Sequence, residues 1–183
     1  MEDLAPIRLR PNVVLRPWRL DDAPALARHA NNRNVSRHLR DRFPYPYARE
    51  DAQRFLARTV GERPARNLAI DVDGEAVGGI AVTLHDDVHT STAEIGYWLA
   101  EPFWGRGIMT DAVRAMVAYG IGRFGLRRLE AAVFSSNPAS ARVLEKAGFT
   151  LEGRLRAAVV KDGVILDALV YALLATDPRG SAT

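Results

Sequence analysis

A glycine-bearing turn between a predicted strand and a predicted helix is the feature that most constrains this chain. The turn reads Gly105-Arg106-Gly107. A strand-like run from Glu94 to Ala100 precedes it, and an apolar stripe with helical spacing follows it to about Phe124. Such a turn at a helix start presents backbone N–H groups and the positive end of the helix dipole. The sequence therefore predicts a site for phosphate oxygens.

Two familiar phosphate loops can be compared with this turn. A dinucleotide fingerprint has a third glycine where this chain has Thr110, and an acidic residue at the end of the next strand. Glu130 falls inside the predicted strand instead of at its end. A Walker loop needs Gly-Lys-Ser/Thr, which the sequence lacks. Two glycines that merely form a tight turn remain the alternative at this point.

The rest of the chain alternates strand-like and helix-like segments without an internal repeat. Asp73-Gly74 between two apolar runs predicts a β-hairpin, and Pro138 after Asn137 predicts a helix start. The pattern predicts a mostly antiparallel sheet with inserted helices, an α/β sandwich. The predicted strands are 13–16, 68–72, 76–82, 93–100, 129–134, 149–160 and 164–174, and the predicted helices are 21–30, 35–39, 49–60, 107–124 and 137–148.

Length and composition fit one globular domain. The chain has 183 residues, of which 48% are hydrophobic and 26% are charged, enough to bury a core. We expect a single domain over residues 1–183, with its core from about 12 to 175 and a disordered tail over 176–183. No apolar run approaches the ~20 residues of a membrane span. Residues 1–6 have neither the basic start nor the apolar segment of a signal peptide.

Composition also excludes several kinds of site. The absence of cysteine excludes a disulfide framework, a zinc–thiolate site and a cysteine nucleophile, and it fits the cytoplasm. The four histidines have no metal-ligand spacing, so we expect no metal. Acidic residues interleave with the basic ones and the net charge is only +3, which favours a solvated mixed-charge surface over a nucleic-acid site. We expect neither a nucleic acid nor a membrane as a partner.

The loop from Trp104 to Met109 and the block Asn137-Pro138-Ala139-Ser140 through Glu145-Lys146-Ala147-Gly148-Phe149 are the two most specific stretches of the chain. Together they resemble the GNAT superfamily of acetyl-CoA-dependent N-acetyltransferases. The family's pyrophosphate loop reads Gln/Arg-x-x-Gly-x-Gly/Ala, and the matching positions here are Trp104, Gly107 and Met109. The block from Asn137 to Phe149 is similar to the Asn-x-x-Ser…Glu-Lys-x-Gly-Phe segment of the RimJ/RimL branch. The resemblance covers about residues 12–175. It implies a GNAT-like α/β fold, with a twisted sheet of six to seven strands, splayed central strands and about four helices.

The resemblance implies that acetyl-CoA is the co-substrate. Backbone N–H groups of the loop would hold the CoA pyrophosphate, and pantetheine would pair with the strand before the loop like an added strand. Arg106 either pairs with a phosphate or faces solvent, and Asn137 reaches the pantetheine amides, caps its helix, or does both. The implied cofactor-binding residues are Trp98, Leu99, Gly105, Arg106, Gly107, Ile108, Met109, Thr110, Asn137 and Ser140.

Acyl transfer to an amine needs a base for the amine proton and a proton for the leaving thiolate. Glu94, in the strand leading to the loop, is the candidate base through a water molecule, with a structural ion pair as the alternative. Many family members protonate the thiolate with a tyrosine where this chain has Leu144. The resemblance therefore points to Ser140 as the donor, with a bond from its hydroxyl to the helix backbone as the alternative.

The acceptor is expected to be a primary amine, either a protein N-terminus or a small amine. Phe43, Tyr45 and Tyr47 could line its pocket, because the resemblance places the early helices on the substrate side, or they could pack their loop against the sheet. The alternatives are a small-molecule N-acetyltransferase acting on an antibiotic or amino acid, an acyl-CoA-binding module without catalysis, and a basic nucleic-acid-binding protein. The sequence is compatible with a monomer or a homodimer.

Overall fold

The structure, a computed structural model, describes residues 4–178 of the chain. These residues form eight β-strands in the sheet order β1-β2-β3-β4-β5-β6-β8-β7, together with five α-helices. The strands are β1 (Ile7–Arg10), β2 (Val13–Pro17), β3 (Asn67–Val72), β4 (Glu75–Leu84), β5 (Thr92–Leu99), β6 (Arg128–Phe134), β7 (Thr150–Lys161) and β8 (Val164–Leu174). The helices are α1 (Ala23–Ala30), α2 (Arg33–Ser36), α3 (Arg49–Thr59), α4 (Ile108–Phe124) and α5 (Pro138–Lys146).

The predicted α/β fold class is confirmed, but the sheet has eight strands where six to seven were expected. Strand β1 was missed because Pro6 and Pro11 on either side of it favour a loop, and it pairs antiparallel with β2 across a two-residue turn. Helix α2 begins at Arg33, two residues before the predicted start, because the Asn32 side chain accepts a hydrogen bond from the Asn34 N–H. Of the predicted tail, residues 179–183 lie outside the described residues, whereas the Asp177 carboxylate accepts from the Leu174 N–H.

The chain divides into two compact units. Unit 1 comprises the residues up to Ala81 together with Tyr97–Ile108, and unit 2 comprises Val82–Gly96 together with the residues from Met109 onward. In unit 1, β2, β3 and β4 pair antiparallel in succession. Trp18 and Leu26 belong to its buried core, and the Trp18 ring meets Phe55 of α3 edge-to-face at 5.3 Å.

A buried arginine links three segments of unit 1. Arg16 of β2 is only 2% exposed, and its Nε donates to Asp71 of β3 over 2.6 Å. Its two Nη atoms each donate over 2.8 Å to Asp22, whose side chain makes no capping hydrogen bond to α1. Burial alone would lower the pKa of Arg16, but the hydrogen bonds to Asp22 and Asp71 outweigh burial and raise it.

Unit 2 is built on the antiparallel pairing of β6 with β8 and of β8 with β7. Strand β5 contributes a short parallel ladder, from Thr92 opposite Arg128 to Glu94 opposite Glu130. The predicted apolar stripe of α4 is buried. Gly120 of α4 leaves space for the side chains of Leu126 and Leu129, since a Cβ at this position would stand 3.3 Å and 3.6 Å from them.

Candidate functional site

The loop between β5 and α4 has the geometry that its glycines predict. A 3₁₀ turn over Glu101–Phe103 follows β5, and α4 begins at Ile108. Gly105 and Gly107 have φ values of +74° and +76°, a region that residues with a Cβ rarely adopt. The segment Trp104–Gly107 is exposed, whereas Ile108, Met109 and Thr110 are buried. The loop backbone is therefore accessible at the point where the helix starts.

Arg10 of β1 contacts this loop, and sequence reasoning missed it. Its Nη1 donates to the Arg106 carbonyl over 2.7 Å. A Cβ placed on Gly107 would stand 2.8 Å from Arg10 Nη2, closer than real contacts of this kind. The Arg106 side chain lies over the Phe103 ring, with its Cζ 5.3 Å from the centroid, and it is exposed. No local pattern pairs two residues that lie 96 positions apart.

The 3₁₀ turn before the loop is also held by side chains. The Trp104 indole N–H donates to the Leu99 carbonyl over 2.7 Å and so closes the turn. Asn32 and Asn34, at the start of α2, donate to the Glu101 carboxylate over 2.8 Å and 3.0 Å. These hydrogen bonds lower the pKa of Glu101 below its ordinary value. The turn is therefore fixed both within itself and to α2.

The backbone of β5 directs its hydrogen-bonding groups to two edges. The Ala100 N–H donates to Val77 of β4 over 2.9 Å. A Cβ on Gly78 would stand 2.6 Å from the Trp98 carbonyl oxygen, which places that oxygen against β4. Because backbone groups alternate along an extended strand, the N–H and carbonyl of Leu99 face the opposite edge. The carbonyl is bonded to Trp104, which leaves the Leu99 N–H as the donor directed there.

The three aromatic residues predicted for the acceptor pocket differ in exposure. Phe43 packs between Tyr47 and Trp98, with ring centroids 5.0 Å and 5.5 Å away. Tyr47 is buried in the core of unit 1, and burial raises its pKa to about 12. Tyr45 is exposed, and the Arg33 guanidinium lies over its ring at 5.5 Å. Phe43 and Tyr47 thus make packing contacts, which was the alternative to a role in the acceptor pocket.

Glu94 lies within a cluster of charged side chains in unit 2. It is half-buried and sits directly opposite Glu130 in the parallel ladder between β5 and β6. Glu130 accepts a 3.0 Å hydrogen bond from Arg128, which also forms a bidentate pair with Glu152 at 3.0 Å and 2.7 Å. The charge of the carboxylate next to Glu94 is therefore offset by a guanidinium. Only the pairing register brings these residues together, so the sequence did not reveal the cluster.

The second sequence block forms the start of α5. The Asn137 side-chain oxygen accepts from the Ser140 N–H over 3.2 Å, so Asn137 caps the helix as its alternative role predicted. Ser140 is half-buried one turn into the helix. Leu144, at the position where many family members carry tyrosine, is fully buried.

Residues 4–178 contain no group of three or more acidic or histidine side chains arranged to hold a metal ion. None of the helices in that range combines the length and the apolar character needed to cross a membrane.

Known proteins with similar sequences and structures are acetyltransferases. The chain is 49% identical over 86 residues to YjcK of Bacillus subtilis (strain 168), a probable N-acetyltransferase, and the match covers 47% of this chain and 48% of that protein. The chain spans about half the length of the first curated relatives it matches.

Two solved structures are similar over nearly the whole chain. One is RimL, a ribosomal L7/L12 alpha-N-protein acetyltransferase in complex with coenzyme A, with a TM-score of 0.82, 25% identity, and coverage of 93% of this chain and 98% of that one. The other is Mycobacterium smegmatis RimJ in complex with CoA-disulfide, with a TM-score of 0.78, 30% identity, and coverage of 93% and 86%.

A family model described as an acetyltransferase (GNAT) domain matches residues 12–150. This match includes the loop from Trp104 to Thr110 and ends just after the Asn137–Phe149 block. It extends over well more than half of the chain. The chain therefore belongs to the GNAT acetyltransferase family.

Proposed function

We propose that the chain transfers an acetyl group from acetyl-CoA to a primary amine, with both substrates bound at once. The observation that carries this proposal is the exposed loop with left-handed glycines, Gly105 and Gly107, directly before α4. Such a loop exposes N–H groups at the positive end of a helix dipole, where a pyrophosphate binds. The coenzyme A in the similar RimL and RimJ structures supports the same ligand class.

The proposal assigns each part of the coenzyme to named backbone groups. The pyrophosphate binds N–H groups from Gly105 to Thr110. Met109 and Thr110 contribute only their backbone N–H groups, because their side chains are buried. The pantetheine arm binds along β5. Its backbone contact is the Leu99 N–H, because the Trp98 carbonyl lies against β4, the Ala100 N–H donates to Val77 of β4, and the Ala100 carbonyl accepts from the Phe103 N–H.

Direct acyl transfer requires two proton movements and one bond exchange. The neutral amine forms a bond from nitrogen to the thioester carbonyl carbon, the carbon–sulfur bond breaks, the nitrogen loses a proton and the sulfur gains one. We assign the first proton to Glu94 through a water molecule, because its neighbour Glu130 is already neutralised by Arg128. We assign the second to the Ser140 hydroxyl, since Leu144 supplies no acid.

The acceptor that we propose is a protein N-terminal amine, with a small amine as the alternative. The similarity to RimL supports an N-terminal amine. In unit 1, exposed Tyr45 and half-buried Phe43 are the aromatic side chains best placed to contact an acceptor, while Tyr47 supports Phe43 from the core.

The test measures coenzyme binding first and turnover second. Calorimetric titration with acetyl-CoA gives the affinity, and release of the CoA thiol is then followed with N-terminal peptides and with small amines. Binding together with amine-dependent thiol release supports the proposal, and the faster acceptor class identifies the substrate. Binding without thiol release from any amine indicates an acyl-CoA-binding module. Failure to bind acetyl-CoA together with salt-dependent binding of DNA or RNA refutes the proposal.

A further inference from the structure

Arg10 of strand β1 reaches the loop between β5 and α4. Arg10 is half-buried and pairs with Val13 of β2. The pairing register shifts between Arg8 and Arg10, which marks a β-bulge or similar irregularity. Irregularities of this kind re-aim a side chain, and they are common beside active sites. The re-aimed side chain reaches the carbonyl of Arg106 over 2.7 Å.

This hydrogen bond fixes the orientation of one peptide group in the loop. The Arg106–Gly107 bond is not among the cis peptide bonds of the described residues, so it is trans. In a trans peptide the carbonyl and the following N–H point in opposite directions. When Arg10 holds the Arg106 carbonyl, the Gly107 N–H points away from the guanidinium. A donor of the proposed anion site is thereby aimed before any ligand arrives.

Gly107 and Arg10 fit each other in space as well. A Cβ on Gly107 would lie 2.8 Å from Arg10 Nη2, whereas a Cβ on Gly105 would meet nothing within 4 Å. Gly107 therefore has two requirements, a left-handed φ of +76° and room for the guanidinium, and Gly105 has only the first. The bulge, the hydrogen bond and the missing side chain all serve one contact.

We propose that Arg10 is a positioning residue of the coenzyme pyrophosphate site. It orients the Arg106–Gly107 peptide so that the Gly107 N–H donates to the pyrophosphate. This inference rests on the proposed function. Arg10 acts on coenzyme affinity and takes no part in proton transfer.

The experiment compares substitutions at two arginines of β1. Arg10→Gln removes the charge and the guanidinium, and its shorter amide ends two bonds before the position of the Nη atoms. Arg8→Gln is the matched control, because Arg8 lies on the same strand, is exposed and donates locally to the Pro11 carbonyl. Arg10→Lys keeps the charge without the planar group. A lost charge-assisted hydrogen bond predicts an acetyl-CoA Kd about 10-fold weaker for Arg10→Gln. We expect an intermediate Kd for Arg10→Lys and wild-type affinity for Arg8→Gln.

Two further readouts separate positioning from other roles. Dephospho-CoA keeps the pyrophosphate but lacks the 3′-phosphate. Arg10→Gln is therefore expected to raise the Kd for CoA and the Kd for dephospho-CoA by the same factor. In turnover assays KM for acetyl-CoA rises while kcat is kept. An equal Kd for Arg10→Gln, Arg10→Lys and wild type overturns the inference. A loss of affinity for CoA without a loss of affinity for dephospho-CoA overturns it too. If Arg10→Gln does not fold, Arg10→Lys carries the same comparison. Absence of acetyl-CoA binding by the wild type overturns the proposed function instead.

Discussion

Alanine substitution of the two loop glycines tests how the geometry of the loop affects stability and acetyl-CoA affinity. Gly105 and Gly107 have nearly the same φ, +74° and +76°. An alanine at either position pays about 1–2 kcal/mol for the left-handed conformation. Only Gly107→Ala also meets Arg10, at 2.8 Å. The flexible guanidinium moves aside and loses its bond to the Arg106 carbonyl, which adds about 0.5–1.5 kcal/mol.

The assay is urea unfolding of both variants without ligand, followed by calorimetry with acetyl-CoA. We expect Gly107→Ala to be the less stable variant and the weaker binder. In an Arg10→Ala background the two glycine variants should become equal, because the contact that distinguishes them is gone. Equal stabilities and equal affinities for Gly105→Ala and Gly107→Ala in the wild-type background would refute the argument.

Three further substitutions test other parts of the structure. Arg16→Met leaves the Asp22 and Asp71 carboxylates buried without a counter-charge, so the free energy of unfolding should fall by about 3–5 kcal/mol in urea, and a loss below 1 kcal/mol would contradict this reading. Tyr47→Phe should remove the latest step of a spectroscopic tyrosine titration, because burial raises the pKa of Tyr47 to about 12. Because the folded state keeps Tyr47 neutral, its contribution to the free energy of unfolding is complete below pH ~10 and is lost as the pH rises toward 12. The Tyr47→Phe variant should therefore lose less stability than the wild type between these pH values. Glu94→Gln should lower kcat by about 10²–10⁴-fold with little change in acetyl-CoA affinity, and an unchanged kcat at saturating substrates would remove Glu94 from the mechanism.

Local sequence patterns predicted most elements, because the determinants of each element lie within it. The Asp73-Gly74 hairpin forms as predicted, with both residues at positive φ. The boundaries of α4 and α5 are within one or two residues of the prediction. Strand β1 was missed although its apolar and charged residues alternate, because the flanking Pro6 and Pro11 are typical of loops.

The candidate site was predictable only where the same local reasoning applies. The glycines of the loop were found from the sequence, since a strand, a turn and a helix start follow each other along the chain. The contact of Arg10 with the loop was not, because it depends on strand pairing and on an irregular register in β1. Likewise, the neighbouring positions of Glu94 and Glu130 follow from the parallel ladder between β5 and β6, which no sequence spacing specifies.

The loop geometry separates residues that affect coenzyme affinity from residues that affect chemistry. Arg10, Trp104 and the Asn32–Asn34 pair hold the loop and its preceding turn through hydrogen bonds. A backbone that is already ordered loses little conformational freedom on binding, so these contacts contribute to affinity. None of them offers a group that accepts a proton from an amine, because guanidinium, indole and amide side chains are not bases at neutral pH. Substituting them should therefore raise Kd and KM for acetyl-CoA at constant kcat. Substituting Glu94 should instead lower kcat with little change in the affinity for acetyl-CoA.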